Sequence, residues 1–189
     1  MFGLQNVPLT WTLEFQFLKG TGLRAADSGG TSDPYIVFSG EACIGEPMSQ
    51  HLDKTTDPSW TSEQLPTLTL VAEGPKFLVE DNLLFCIMDR DRVTADDLIG
   101  CSVLTFKNLV FEGDANPFKN KWAADGKAHA SFKITVLYAG IEQGTLEGGV
   151  TITESEPLSL QHFWETKYSL KRKSSFTSTL LGRSVSKTS

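Results

Sequence analysis

Four aspartates, Asp89, Asp91, Asp96 and Asp97, fall within nine residues. Carboxylates this close repel one another. A chain carries such a cluster at low cost only where water screens it or where a hard cation sits among the oxygens. Calcium takes about 6–8 oxygen ligands in flexible geometry and suits this chemistry. The flanking residues say where the cluster sits. The apolar run 83–88 feeds into it, and the apolar, β-branched run 98–106 leaves it, which reads as strand, loop, strand. A solvated acidic turn would look the same, so this loop taken alone leaves both readings open.

A second acidic loop lies earlier, at residues 23–35, with the sequence Leu-Arg-Ala-Ala-Asp-Ser-Gly-Gly-Thr-Ser-Asp-Pro-Tyr. Asp27 and Asp33 are six apart, as are Asp91 and Asp97. This loop also joins two strand-like runs. Two such loops at the same end of a β-sandwich converge on one ion cluster.

The elements that must hold these loops are strands. Residues 10–18 alternate, with Trp11, Leu13, Phe15 and Phe17 on one face and Thr12, Glu14 and Gln16 on the other. Further runs are expected at 35–38, 48–52 (weak), 68–71, 82–88, 99–106 and 130–138. In the last of these Phe132, Ile134, Val136 and Tyr138 share a face. Pro66 requires an edge or a bulge. With no helix expected in the body, the fold class is all-β: an eight-stranded antiparallel β-sandwich with a C-terminal extension.

The motif Gly29-Gly30-Thr31-Ser32-Asp33-Pro34-Tyr35, followed by Asp89-x-Asp91-x5-Asp97-x-Ile99-Gly100, resembles a C2 domain of the calcium-binding kind. The turn Thr56-Asp57-Pro58-Ser59-Trp60 resembles that family's Asn-Pro-x-Trp turn, with Asp57 replacing Asn. The resemblance covers residues 10–139. It implies Ca²⁺ as the cofactor and Asp27, Asp33, Asp89, Asp91 and Asp97 as its ligands, with Thr94 as an auxiliary hydroxyl ligand. Asp96 is read as solvated or as standing behind the ligands. Arg92 and Val93, at the tip of the second loop, are expected to meet lipid, Arg92 at phosphate and Val93 in the interface. Only nine residues precede Thr10, too few for the strand that precedes the first loop in synaptotagmin-like members. Residues 130–138 are expected to take its place, as in the circularly permuted topology of phospholipase-type C2 domains. One lysine in residues 48–54 argues against the lysine-rich phosphoinositide strand of many relatives.

The domain organisation expected is a lead at 1–9, the C2 domain at 10–139, a Gly-rich linker with a helix at 140–165, and a basic, Ser/Thr-rich disordered tail at 166–189. A strand at 150–153 is the alternative within that extension. The net charge of −6 hides an asymmetry: the tail holds six basic residues and no acid, while residues 1–165 carry 11 basic and 23 acidic side chains. Such a body is repelled by nucleic acid and by anionic lipid unless its charge is offset. A protein partner is expected at the basic tail, and a helix or strand packed on the sandwich is the other reading of the extension. Cys43, Cys86 and Cys101 show no paired or metal-type spacing, and Cys86 and Cys101 are read as buried free thiols. The odd count and the lack of a signal-like start favour a reducing compartment. No run reaches the roughly 18–20 apolar residues of a membrane span. His51, His129 and His162 are scattered, and no nucleophile elbow or phosphate loop appears.

The function expected is a non-enzymatic, calcium-dependent phospholipid-binding module, cytoplasmic and peripheral on anionic membranes when calcium rises, in signalling or membrane trafficking. The alternative is a protein-interaction adaptor in which calcium is structural or absent.

Overall fold

The computed structural model describes residues 9–72, 75–91, 93–119 and 121–155. Nine strands follow in chain order: β1 (Leu9–Thr21), β2 (Pro34–Gly40), β3 (Ser59–Thr61), β4 (Leu68–Ala72), β5 (Asn82–Asp89), β6 (Asp97–Thr105), β7 (Val110–Phe111), β8 (Lys127–Tyr138) and β9 (Ile141–Ser155). They form one antiparallel sheet in the order β2-β5-β6-β8-β9-β1-β3, with β4 also on β1 and β7 on β8. At the β6–β8 junction a single register pair, Cys101↔Leu137, joins the strands. The sheet curls there and lays its halves face to face. Phe15 of β1 meets Phe38 of β2 at 5.1 Å between ring centroids, and Phe132 of β8 meets Phe85 of β5 at 5.8 Å. The all-β sandwich expected from the alternating runs is the fold observed.

The main correction concerns residues 140–155. They are not a linker. β9 pairs with β1 from Thr10↔Ser155 to Thr21↔Thr145, and with β8 from Lys127↔Thr153 to Tyr138↔Ile141. The sheet thus continues past residue 139, and the described residues form nine strands where eight were expected. The strand beside β1 does come from the far end of the chain, but it is β9; β8, expected there, lies one place further out. Glycine weakens an ordinary strand, and this is why the stretch reads as linker. Here aromatic rings cover the glycines. Gly148 lies opposite Phe132, and a Cβ added to it would stand 2.8 Å from that ring. Gly149 lies opposite Phe17, and its Cβ would stand 3.0 Å from that ring. The helix expected further along, the basic tail and residues 1–8 of the lead lie outside the described residues, while Leu9 already belongs to β1.

Three smaller differences have local causes. A register shift between Phe15 and Phe17 turns the inward face over to Leu18, so Phe17 is 46% exposed while Trp11, Leu13 and Phe15 are buried. Residues 48–52 make one bridge, Val37↔Met48, instead of a strand. A six-residue helix, α1 (Pro75–Glu80), lies between the runs expected at 68–71 and 82–88 and opens on a proline, whose fixed φ suits a first helical residue. It brings Leu78 fully into the core. Pro66 acts as expected: β3 and β4 occupy the same outer edge of β1, separated by a 3-10 turn and the Leu65-Pro66 segment.

Candidate calcium and membrane-binding loops

The strand pairing brings the two acidic loops to one end of the sandwich. Pro34 at the start of β2 lies opposite Asp89 at the end of β5, and Asp89 lies opposite Asp97 at the start of β6. Asp89 and Asp97 therefore face each other on neighbouring strands, and Asp33 stands beside them one residue ahead of β2. Asp27 sits within the first loop, in a turn closed by the Asp27 N–H to the Thr31 carbonyl (3.1 Å) and the Gly30 N–H to the Asp27 carbonyl (3.1 Å). Gly30 has φ +76°, a conformation that favours glycine.

Asp89 is the centre of the arrangement. It is 2% exposed, and its Oδ1 accepts the Asp33 main-chain N–H at 2.6 Å. Burial raises its pKa above the usual carboxylate value, and the charges of Asp27 and Asp91 push the same way. The hydrogen bonds from the Asp33 N–H and the Ser32 hydroxyl oppose the rise. Ser32 is itself fixed: its Oγ accepts the Ala26 N–H at 2.8 Å. Asp33 Oδ1 accepts the Lys54 N–H at 2.8 Å, and its carbonyl accepts the Arg90 N–H at 3.0 Å. Asp91 is half-buried; Asp27 and Asp97 are exposed.

The structure names the partners of Asp96. It is half-buried, and its carboxylate accepts the Tyr35 hydroxyl at 2.7 Å and the Asp91 N–H at 3.0 Å. It is thus a brace that stands behind Asp91 and holds its backbone against β2, the second of the two expected readings. Burial, and then the bond and charge of Asp96, push the Tyr35 phenol up to about 12. Arg24 is a residue the sequence reading missed. Its Nη2 donates to the Leu98 carbonyl at 2.6 Å, and its guanidinium lies 4.3 Å from the Tyr138 ring centroid. It ties the first loop to β6 next to Asp97. The only signal for either is position: Asp96 adjoins a ligand, and Arg24 opens the acidic loop. Thr94 and Val93 are exposed in the second loop, Val93 at 95%. Arg92 lies outside the described residues.

The donor set is all oxygen and mostly carboxylate, the chemistry of a hard cation. Among the described residues, none of the five aspartates is ion-paired with a lysine, arginine or histidine. Among the described residues, no group of three or more His, Cys, Asp or Glu is disposed to hold a metal ion. An open cleft beside the loops is lined by Tyr35, Met48, Gln50, His51, Arg90 and Asp96 among others, with no lysine among the described residues of its wall. No helix among the described residues is long and apolar enough to cross a membrane.

A sequence profile of the C2 domain matches residues 11–123. The chain belongs to the C2 domain family. It is 30% identical over 105 residues to the E3 ubiquitin-protein ligase Nedd-4 of Drosophila melanogaster, covering 53% of this chain and 10% of that protein. It is 30% identical over 101 residues to Rabphilin-1 of Caenorhabditis elegans, covering 51% of this chain and 8% of that one. The 16 kDa phloem protein 1 of Arabidopsis thaliana is 28% identical over 101 residues, 53% of this chain and 62% of that protein. The chain thus spans from under a tenth to under two thirds of these relatives' lengths. Among solved structures, a C2 domain of plant Extended Synaptotagmin 1 superposes with a TM-score of 0.53 at 19% identity, covering 82% of this chain and 99% of that one. Human GIVD cytosolic phospholipase A2 superposes at 0.50 and 21% identity, over 83% of this chain and 17% of that one. These superpositions establish the fold.

Proposed function

We propose that this C2 domain is a calcium-dependent phospholipid-binding module that brings its polypeptide from the cytoplasm to anionic membranes, in signalling or membrane trafficking, and that it carries out no catalytic step. The observation that carries the reading is Asp89. A buried carboxylate, raised in pKa by burial and by two like charges, sits where two acidic loops meet. A bound divalent cation removes that conflict.

In this reading Asp33 and Asp89 bridge the ions, Asp27, Asp91 and Asp97 complete the coordination, and the Thr94 hydroxyl adds a ligand. The five aspartates hold a charge of about −5, and two calcium ions bring about +4, so the tip changes from repelling an anionic bilayer to tolerating it. On contact, headgroups lie within a Debye length of roughly 8 Å and feel that change. Loop oxygens alone leave calcium under-coordinated, and lipid phosphate or carboxylate supplies the remainder. Val93, 95% exposed, enters the interface shallowly, and its neighbour Arg92 meets phosphate.

Sedimentation with phosphatidylserine liposomes tests the proposal. Binding is expected in calcium and not in chelator, and the pair Asp89→Asn, Asp91→Asn should abolish it. Equal binding in both conditions would overturn it. One observation favours the adaptor reading: Met48 (59% exposed), Val103 and Leu137 leave apolar surface uncovered on the outer face of the sheet. Calcium-independent capture of a protein partner through that face would support this alternative.

A further inference from the structure

We propose that Cys86 and Cys101 form a redox modification site, a cross-strand dithiol on the outer face of the sheet that a hydroperoxide converts to an intramolecular disulfide. Their spacing in the sequence gives no sign of a pair. In the structure they are half-buried, directly opposite in the β5–β6 register, with Sγ–Sγ 3.5 Å.

The ladder geometry suits a disulfide. The Phe106 N–H donates to the Asp81 carbonyl at 3.4 Å, one of the two bonds of a hydrogen-bonded pair (the Asp81 N–H goes to the Leu78 carbonyl), which puts 81↔106 at a hydrogen-bonded position of the same register. Pair types alternate along an antiparallel ladder. Counting from 81↔106 to Cys86↔Cys101 therefore lands on a non-hydrogen-bonded pair, where facing Cα atoms are about 4.5 Å apart. Disulfides span Cα separations of about 4.4–6.8 Å. Asn82 and Thr105, on the same face and of the same pair type, already touch: Thr105 Oγ1 donates to Asn82 Oδ1 at 2.6 Å. Cys43 differs from the pair in that it is buried.

The hydrogen bond between the two sulfurs also favours reaction. One thiol stabilises the thiolate of the other, so the pair gives up its first proton more readily than an isolated thiol and its second less readily. The thiolate attacks one peroxide oxygen: an S–O bond forms, the O–O bond breaks, and the leaving hydroxide takes a proton to become water. The second cysteine attacks the resulting sulfenic sulfur: the S–S bond forms, the S–O bond breaks, and hydroxide leaves with that thiol's proton as a second water. Two thiols and one hydrogen peroxide give one disulfide and two waters. The link ties together the two strands that carry the second acidic loop, three residues from Asp89 and four from Asp97.

The test uses the full chain, reduced, freed of reductant and treated with hydrogen peroxide. The count of free thiols after denaturation should fall from three to one. Peptide mapping should place a Cys86–Cys101 link within a single chain. The link should form on the order of tenfold or more faster in the folded chain than in the same chain in urea. Cys86→Ser and Cys101→Ser should each abolish it. Equal rates in buffer and urea, a link to Cys43 in its place, a link between two chains, or sulfinic acid on either cysteine without a link would overturn the proposal.

Discussion

Ending the chain at residue 139 removes the strand on which both β1 and β8 lean. Leu146, Val150 and Ile152 of β9 are fully buried. Complete burial of an aliphatic side chain contributes about 1.5–3 kcal/mol, so their loss alone costs about 5–9 kcal/mol. The backbone groups of β1 and β8 that face β9 lose their partners as well, and Phe132 loses the glycine surface beneath it. A domain is stable by only about 5–15 kcal/mol in total. Residues 1–139, which contain the whole profile match and both acidic loops, should therefore show no cooperative unfolding transition. Residues 1–155 should show one. Urea titration followed by the fluorescence of the buried Trp11 and Trp60 reads this directly. A cooperative transition in 1–139 at the midpoint of the full chain would refute the assignment of β9 to the core.

Four further outcomes follow from the site and its supports. Asp89→Asn keeps an oxygen for the Asp33 N–H and removes a buried charge repelled by Asp27 and Asp91, so the calcium-free protein should melt no lower than the parent. The parent at calcium near 100 times Kd should gain about 2.7 kcal/mol per ion. That is roughly 5–10 °C for a domain of this size, and the variant should gain none in a thermal melt with and without chelator. Arg24→Ala breaks the tie to Leu98 and the stacking on Tyr138, and should cost about 2–4 kcal/mol in urea unfolding; a neutral result would show that the first loop is held elsewhere. Gly148→Val drives a side chain into the Phe132 ring and Leu18, with an expected loss of about 1–3 kcal/mol, and an unchanged midpoint would argue against that packing. Val93→Trp should tighten calcium-dependent liposome binding by about tenfold, given about 1.5–3 kcal/mol for a buried large side chain. Calorimetric calcium affinity without lipid should stay as it was, and a parallel change in both would place Val93 in the ion site.

The acidic loops and their strands were legible because each signal is local. Alternation in 10–18, the Gly-Gly-Thr-Ser-Asp-Pro-Tyr turn and the Asp89-x-Asp91 spacing report on neighbours a few residues away, and pleat and turn geometry act over that range. These features by themselves determined the sandwich class and the position of both acidic loops. Other features depend on residues far apart in the chain, and only the tertiary structure decided them. Gly148 and Gly149 form a strand because rings from β8 and β1 cover them, which no window around residue 148 contains. Phe17 turns outward because a bulge shifts its register against β9. Asp96 and Asp89 are chemically the same, yet one braces Tyr35 and the other is buried beside Asp33, a difference set by which strand lies opposite. Cys86 and Cys101, 15 residues apart with an acidic loop between them, meet because β5 and β6 pair in one register and not the next. A slip of one residue would move each side chain to the other face of its strand.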